Sequence, residues 1–173
     1  DLNTTTTSLS ASGSTINGSG LTIINPAGKV INLTNSTVNT AFKNAGTVNV
    51  YQASALNGAL TTQSGSLVHI EANGWCYSSY HTTLTVANGF TNNGTVELTE
   101  GTAGCNYYGN VTLAVTNGTL VNAGNIESLP GANLGSRIIT AEINNQGTIT
   151  VSYPLTINKG SAVHVNSGTI TVK

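Results

Sequence analysis

One short phrase keeps returning along this chain: apolar–x–x–x–Gly–Thr–apolar–x–apolar, with Asn two or three places ahead of the glycine. It reads Phe42-Lys-Asn-Ala-Gly-Thr-Val-Asn-Val50, then Phe90-Thr-Asn-Asn-Gly-Thr-Val-Glu-Leu98 and Leu120-Val-Asn-Ala-Gly-Asn-Ile126. It comes back as Ile143-Asn-Asn-Gln-Gly-Thr-Ile-Thr-Val151 and Val165-Asn-Ser-Gly-Thr-Ile-Thr-Val172. Gly46, Gly94, Gly124, Gly147 and Gly168 mark the copies, and Gly65, with Leu67 and Ile70, marks a weaker one. Gly65 and Gly94 are 29 residues apart, Gly94 and Gly124 are 30, and the later steps shorten to 23 and 21. A period in this range belongs to architectures in which each repeat lies on the last.

Between the phrases stands a second element, apolar–x–apolar–x–x–Gly: Leu84-Thr-Val-Ala-Asn-Gly89, Leu113-Ala-Val-Thr-Asn-Gly118 and Leu155-Thr-Ile-Asn-Lys-Gly160. Apolar residues alternate with polar ones, so each piece reads as a strand with one buried face. Helical spacing is absent and β-branched residues dominate. The Asn-Gly corners are expected to supply positive φ at low cost. The same corners are also a hairpin signal, so an antiparallel β-sandwich is the alternative. The near-constant step decides against it, because a sandwich has no reason to repeat its corners at one spacing.

The expected fold is therefore all-β: a right-handed parallel β-solenoid of about six coils over residues 21–173, roughly 30 Å long at ~4.8 Å per coil. Val48, Val96, Ile126, Ile149 and Ile170 are expected to form one inward ladder, and Val50, Leu98, Val151 and Val172 a second. Asn44, Asn92, Asn122 and Asn145 are expected to stack as an amide ladder. Residues 1–20 are Thr-rich and read as a segment that docks on the core or donates a strand.

This coil grammar, Asn-x-Gly-Thr-Ile/Val, resembles the repeats of large secreted bacterial β-solenoid adhesins of the filamentous-haemagglutinin and autotransporter-passenger type. The resemblance covers about residues 40–173. It implies an extracellular, elongated, non-catalytic surface module. Such proteins carry a secretion domain and a membrane barrel elsewhere, so it also implies a fragment or a free subunit.

Composition narrows the partners. Only 6% of residues are charged, and net charge is −1. Thr, Asn, Ser and Gly supply the polarity, so no field steers nucleic acid or an anionic membrane. No apolar run approaches the ~20 residues of a membrane span. No signal peptide opens the chain, so Asp1 reads as a mature or excised start.

Cys76 and Cys105 are 29 residues apart, the coil step, and are expected to form a disulfide between adjacent loops. Closing a loop of that size contributes on the order of 3 kcal/mol. Their spacing is not that of a metal site or a redox Cys-x-x-Cys pair. Loops 74–81 and 104–109 also carry Trp75, Tyr77, Tyr80, Tyr107 and Tyr108. These aromatics either cover the disulfide or stack on a glycan or a host protein.

Glu97 and Glu127 are expected to stack, solvated, on successive coils; a glycosidase pair would need a cleft with one raised pKa. His69, His81 and His164 are scattered, with no nucleophile or ligand at a recognisable spacing. Ice binding would need a clean Thr array. The outward positions Asn49, Glu97, Glu127, Thr150 and Thr171, and Thr22, Thr85, Ala114 and Thr156, do not give one. Seven Asn-x-Ser/Thr sequons, from Asn3 to Asn117, are about what this composition yields by chance.

The functional expectation is a non-enzymatic extracellular structural protein, without cofactor or metal. It would be a solenoid subunit or segment of a surface fibre that joins copies of itself end to end. The alternative is an adhesin module that presents the aromatic loops.

Overall fold

The computed structural model describes residues 2–3, 8–75, 78–101, 108–132 and 134–173, with backbone alone at 2–3, 74–75 and 78–79. It is all-β and built from short strands that pair parallel between successive coils. The exception among the described strands is one hairpin, in which Asn73–Trp75 runs antiparallel to Ser78–Tyr80. The antiparallel sandwich is thereby excluded.

The chain winds through three faces. The longest stacks Leu9–Ser12, Val30–Thr34, Thr47–Tyr51, Leu67–Trp75, Thr95–Glu100, Asn125–Ser128, Thr148–Val151 and Thr169–Val172, in that order. That is eight coils rather than about six. The two extra coils precede Gly46 and lack the Gly-Thr phrase, which is why the phrase undercounts. The Thr-rich segment takes part, since Leu9 pairs with Ile31 and Thr15 with Thr37.

A second face begins with Leu2–Asn3, Thr22–Asn25, Ala41–Asn44 and Leu60–Thr62. The third begins with Thr15–Ile16, Thr37–Val38 and Ala53–Leu56. Beyond these, the long strands Thr82–Asn92, Val111–Asn122 and Arg137–Asn145 run through the corner between the two faces.

Register follows side-chain character. Ile31, Val48, Val68, Val96, Ile126, Ile149 and Ile170 form one column on the longest face. All are buried except Ile170, 51% exposed, which stands on the last strand of the face. The second column runs Leu33, Val50, Ile70, Leu98, Ser128, Val151 and Val172. Ser128 interrupts it, and its hydroxyl donates to the Tyr153 carbonyl at 2.7 Å. On the third face Leu84, Leu113, Ile139 and Ile157 align, so Ile157 rather than Leu155 continues that column.

The phrase glycines are required for a reason other than the expected one. None of Gly46, Gly94, Gly124, Gly147 and Gly168 has positive φ; of the Asn-Gly corners, Gly118 does and Gly58 and Gly89 do not. The constraint is close approach of backbone to backbone. A Cβ on Gly124 would lie 2.1 Å from the Gly94 carbonyl oxygen. On Gly147 it would lie 2.1 Å from the Gly124 carbonyl, and on Gly168 2.1 Å from that of Gly147. Each corner rests directly on the one before it.

The buried asparagines beside these corners form the amide ladder. Asn92 donates to Asn122 Oδ1 at 2.9 Å, Asn122 to Asn145 Oδ1 at 2.7 Å, and Asn145 to Asn166 Oδ1 at 2.7 Å. Asn25 donates to Asn44 Oδ1 at 2.8 Å in the earlier coils. Thr62 takes the position between the two runs and reaches Asn92 Oδ1 through its hydroxyl at 3.3 Å. The second amide hydrogen of each step is also used; that of Asn122, for example, goes to the Thr148 carbonyl at 3.0 Å. Carboxamides are thus buried at corners without leaving their hydrogens unpaired, which would cost about 1–3 kcal/mol for each.

Candidate functional site

The outward column of the longest face reads Asn32, Asn49, His69, Glu97, Glu127, Thr150 and Thr171. Glu97 and Glu127 stack in register, as expected from the sequence. His69 occupies the step before them and is not isolated. Its Nδ1 lies 2.8 Å from Glu97 Oε2 and its Nε2 2.9 Å from Glu71 Oε2. Two carboxylate partners fit a doubly protonated ring. The His69 pKa is raised, chiefly by the bond to Glu97, against the opposing effect of burial, with Glu71 adding to the rise. Sequence reading missed this group because it treated histidines singly. The signal was the 28-residue step from His69 to Glu97, which is the coil step itself.

Beside this group lies an open cleft of about 310 Å³, lined by Thr34, Tyr51, Gln52, Glu71, Asn73, Tyr80 and Thr82. Three coils build it. Thr34 and Tyr51 end successive strands of the longest face and pair in register. Gln52 turns the corner with φ at 56°, and its amide is held by the Thr82 hydroxyl at 2.9 Å. Thr82 in turn donates to the Glu71 carbonyl at 2.8 Å. Glu71 and Asn73 project from the strand that continues into the hairpin, and Tyr80 ends the returning arm. Burial, and then the charge of Glu71, raise the Tyr51 pKa, so its phenol stays a hydrogen-bond donor.

Gly101 shapes one wall. A Cβ there would lie 2.2 Å from both Glu71 Oε1 and Asn73 Oδ1. Two acceptor oxygens therefore converge on one small volume that only a glycine leaves open.

A buried ion pair fixes the neighbouring corner. Glu100 Oε1 accepts the Gly109 amide at 2.8 Å and Oε2 the Gly135 amide at 3.3 Å. Arg137 Nη1 lies 3.9 Å from Glu100 Oε2, and its guanidinium carbon sits 4.5 Å from the centre of the Tyr153 ring. Its Nε donates to the Leu129 carbonyl at 3.1 Å. Burial lowers the Arg137 pKa, opposed by Glu100. Alternation carried on from Val96 and Leu98 puts Glu100 inward, and carried back from Ile139 puts Arg137 inward, but the two are 37 residues apart and only the stack pairs them.

Of the residues singled out from sequence, Tyr80 and Tyr108 are exposed, by 43% and 50%. Trp75 ends its hairpin arm opposite Ser78. Cys76, Tyr77, Cys105 and Tyr107 lie outside the described residues, and with them the expected disulfide. His81 Nδ1 accepts the Asn110 amide at 2.9 Å and His164 Nδ1 the Ile143 amide at 3.3 Å, so both are tied to corners. The Thr positions align as no ladder: Thr85 pairs with Ala114, Thr156 with Ile138, and Thr22 lies on another face. Among the described residues, no group of three His, Cys, Asp or Glu side chains is placed to hold a metal ion. Among the same residues, no helix is long and apolar enough to cross a membrane.

Comparison with known protein families, curated proteins and solved structures finds no match to this chain.

Proposed function

We propose that this chain is a non-enzymatic extracellular structural protein, a β-solenoid subunit or segment of a surface fibre that extends end to end. The observation that carries the reading is where its apolar surface lies. Of the nine large apolar side chains exposed among the described residues, five (Ile157, Val163, Val165, Ile170 and Val172) belong to the last turns. Ile157, Ile170 and Val172 continue inward columns, and no coil of the described chain lies against them. Thr169–Val172 pairs with Thr148–Val151 on one side only. An edge strand without charge, proline or bulge templates further parallel pairing. A coil from another copy, or from further chain, would cover this surface in the same register.

The near-absence of charge supports the extracellular reading, since a surface of hydroxyls and amides holds its character across salt and pH. So does the likeness of the coil phrase to secreted adhesin repeats.

Sedimentation velocity of the purified chain tests the assembly. Species larger than the monomer should grow with concentration, and Val172→Lys should return the chain to a monomer. Val172 is 76% exposed, so the substitution leaves the fold intact. A wild-type chain that stays monomeric at every concentration contradicts the reading.

A further inference from the structure

We infer that the cleft between Tyr51 and Tyr80 is a binding site for a neutral saccharide, one pyranose ring seated against the tyrosines with its hydroxyls on Glu71, Asn73 and Gln52. This does not rest on end-to-end assembly.

Size comes first. At about 310 Å³ the cleft is at the lower end for small-molecule sites, which run roughly 300–1,000 Å³. It holds one ring with hydration and opens outward, where further rings of a glycan can extend. Its chemistry then narrows the class. Two phenol rings supply flat apolar surface with hydrogen-bonding tips. Gln52 and Asn73 each offer both donor and acceptor groups, and Thr34 and Thr82 add hydroxyls. A ligand whose groups both donate and accept matches that set, and sugar hydroxyls do so.

Charge disfavours an anion. Glu71 lines the cleft, with Glu97 behind it sharing His69, so an anionic ligand is repelled. A cation would find Glu71 but make no use of the carboxamide donors. Glu71 Oε2 is already committed to His69. That bond holds the side chain in place and leaves Oε1 beside Asn73 Oδ1, where Gly101 gives them room. Two converging acceptors suit donating hydroxyls.

The site is also built on rigid parts. Tyr51 and Glu71 stand on strands of the stacked longest face, and Gln52 is held in its left-handed corner by Thr82. Little ordering remains for a ligand to impose, which favours binding.

Saturation-transfer NMR and calorimetry of the full chain with glucose, galactose, mannose, N-acetylglucosamine and their disaccharides test the site, with lysine methyl ester as the cationic arm. At least one neutral sugar should bind saturably. Tyr80→Ala, at an exposed position, should weaken binding about tenfold or more with an unchanged unfolding transition. Gly101→Ala, in the folded protein, should weaken binding as well, because its Cβ displaces the flexible ends of Glu71 and Asn73. The inference is overturned if no sugar binds in the millimolar range, if lysine methyl ester binds and the sugars do not, or if sugar binding is equal in both folded variants.

Discussion

Gly147 shows how one atom limits this fold. The hydrogen it carries in place of a side chain faces the Gly124 carbonyl, and a Cβ there would lie 2.1 Å away. The obstacle is backbone, so the corner of a whole coil must shift to relieve it. Gly147→Ala should cost about 1–3 kcal/mol, the range for forcing extra atoms into a packed interior. Gly160 faces open space within 4 Å, and Gly160→Ala should change stability by less than about 0.5 kcal/mol. Denaturant midpoints of the two variants measure the difference. At this scale the sequence was informative about where and silent about why. Spacing alone identified the phrase glycines, but the contact that demands them spans two coils. The asparagines were easier, because an amide in the same place on every coil has an obvious partner. The gap in their ladder at Thr62 was not visible, since Thr62 stands outside any complete copy of the phrase.

Strands carry the same lesson in another form. Alternation placed the inward residues of the longest face correctly, because the period is two and burial is one-sided. It failed where a corner changes length. Leu155 looks like the successor of Leu113, yet Ile157 takes that column and Leu155 pairs with Arg137. Gly131 and Gly135 both lie against Glu100, a contact ahead of Arg137 that local pattern does not reveal. On the outer side of the longest strands, the His69 bridge makes a specific prediction. Its pKa is raised in the folded protein above the ordinary 6.5. The stabilisation from the bridge is therefore complete below the unfolded value and lost as pH rises through the folded one. Between about pH 5.5 and pH 9, the wild type should lose more stability than His69→Gln does. Thermal unfolding across that range checks this, and parallel curves for the two proteins would show that the bridge adds nothing. The cleft was legible only in its chemistry: the aromatics near residue 80 stand out in the sequence, whereas Glu71 faces Tyr80 only through the hairpin and Tyr51, one coil earlier, only once the coils stack.

For the molecule as a whole, everything from the amide ladder to the apolar end depends on eight strands lying parallel, like residue over like. Fold class was accessible from the sequence because stacking forces repetition. Coil number was not, because the first two coils keep the alternation and drop the phrase. The stacking also joins the two functional proposals. It leaves the Val172 end open to another coil, and it brings three coils together to form the cleft. Disulfide trapping across neighbouring coils measures this register most directly. Glu127 and Thr150 stand side by side on adjacent strands, and Thr148 lies two residues out of step, opposite Asn125. Adjacent parallel strands are about 4.8 Å apart, within the ~4.4–6.8 Å that a disulfide spans between Cα atoms. Under mild oxidation, Glu127→Cys with Thr150→Cys should cross-link within one chain, while Glu127→Cys with Thr148→Cys should not. Non-reducing peptide mapping separates the new bond from any that uses Cys76 or Cys105. A cross-link in the out-of-step pair, or none in the aligned one, would contradict the stack.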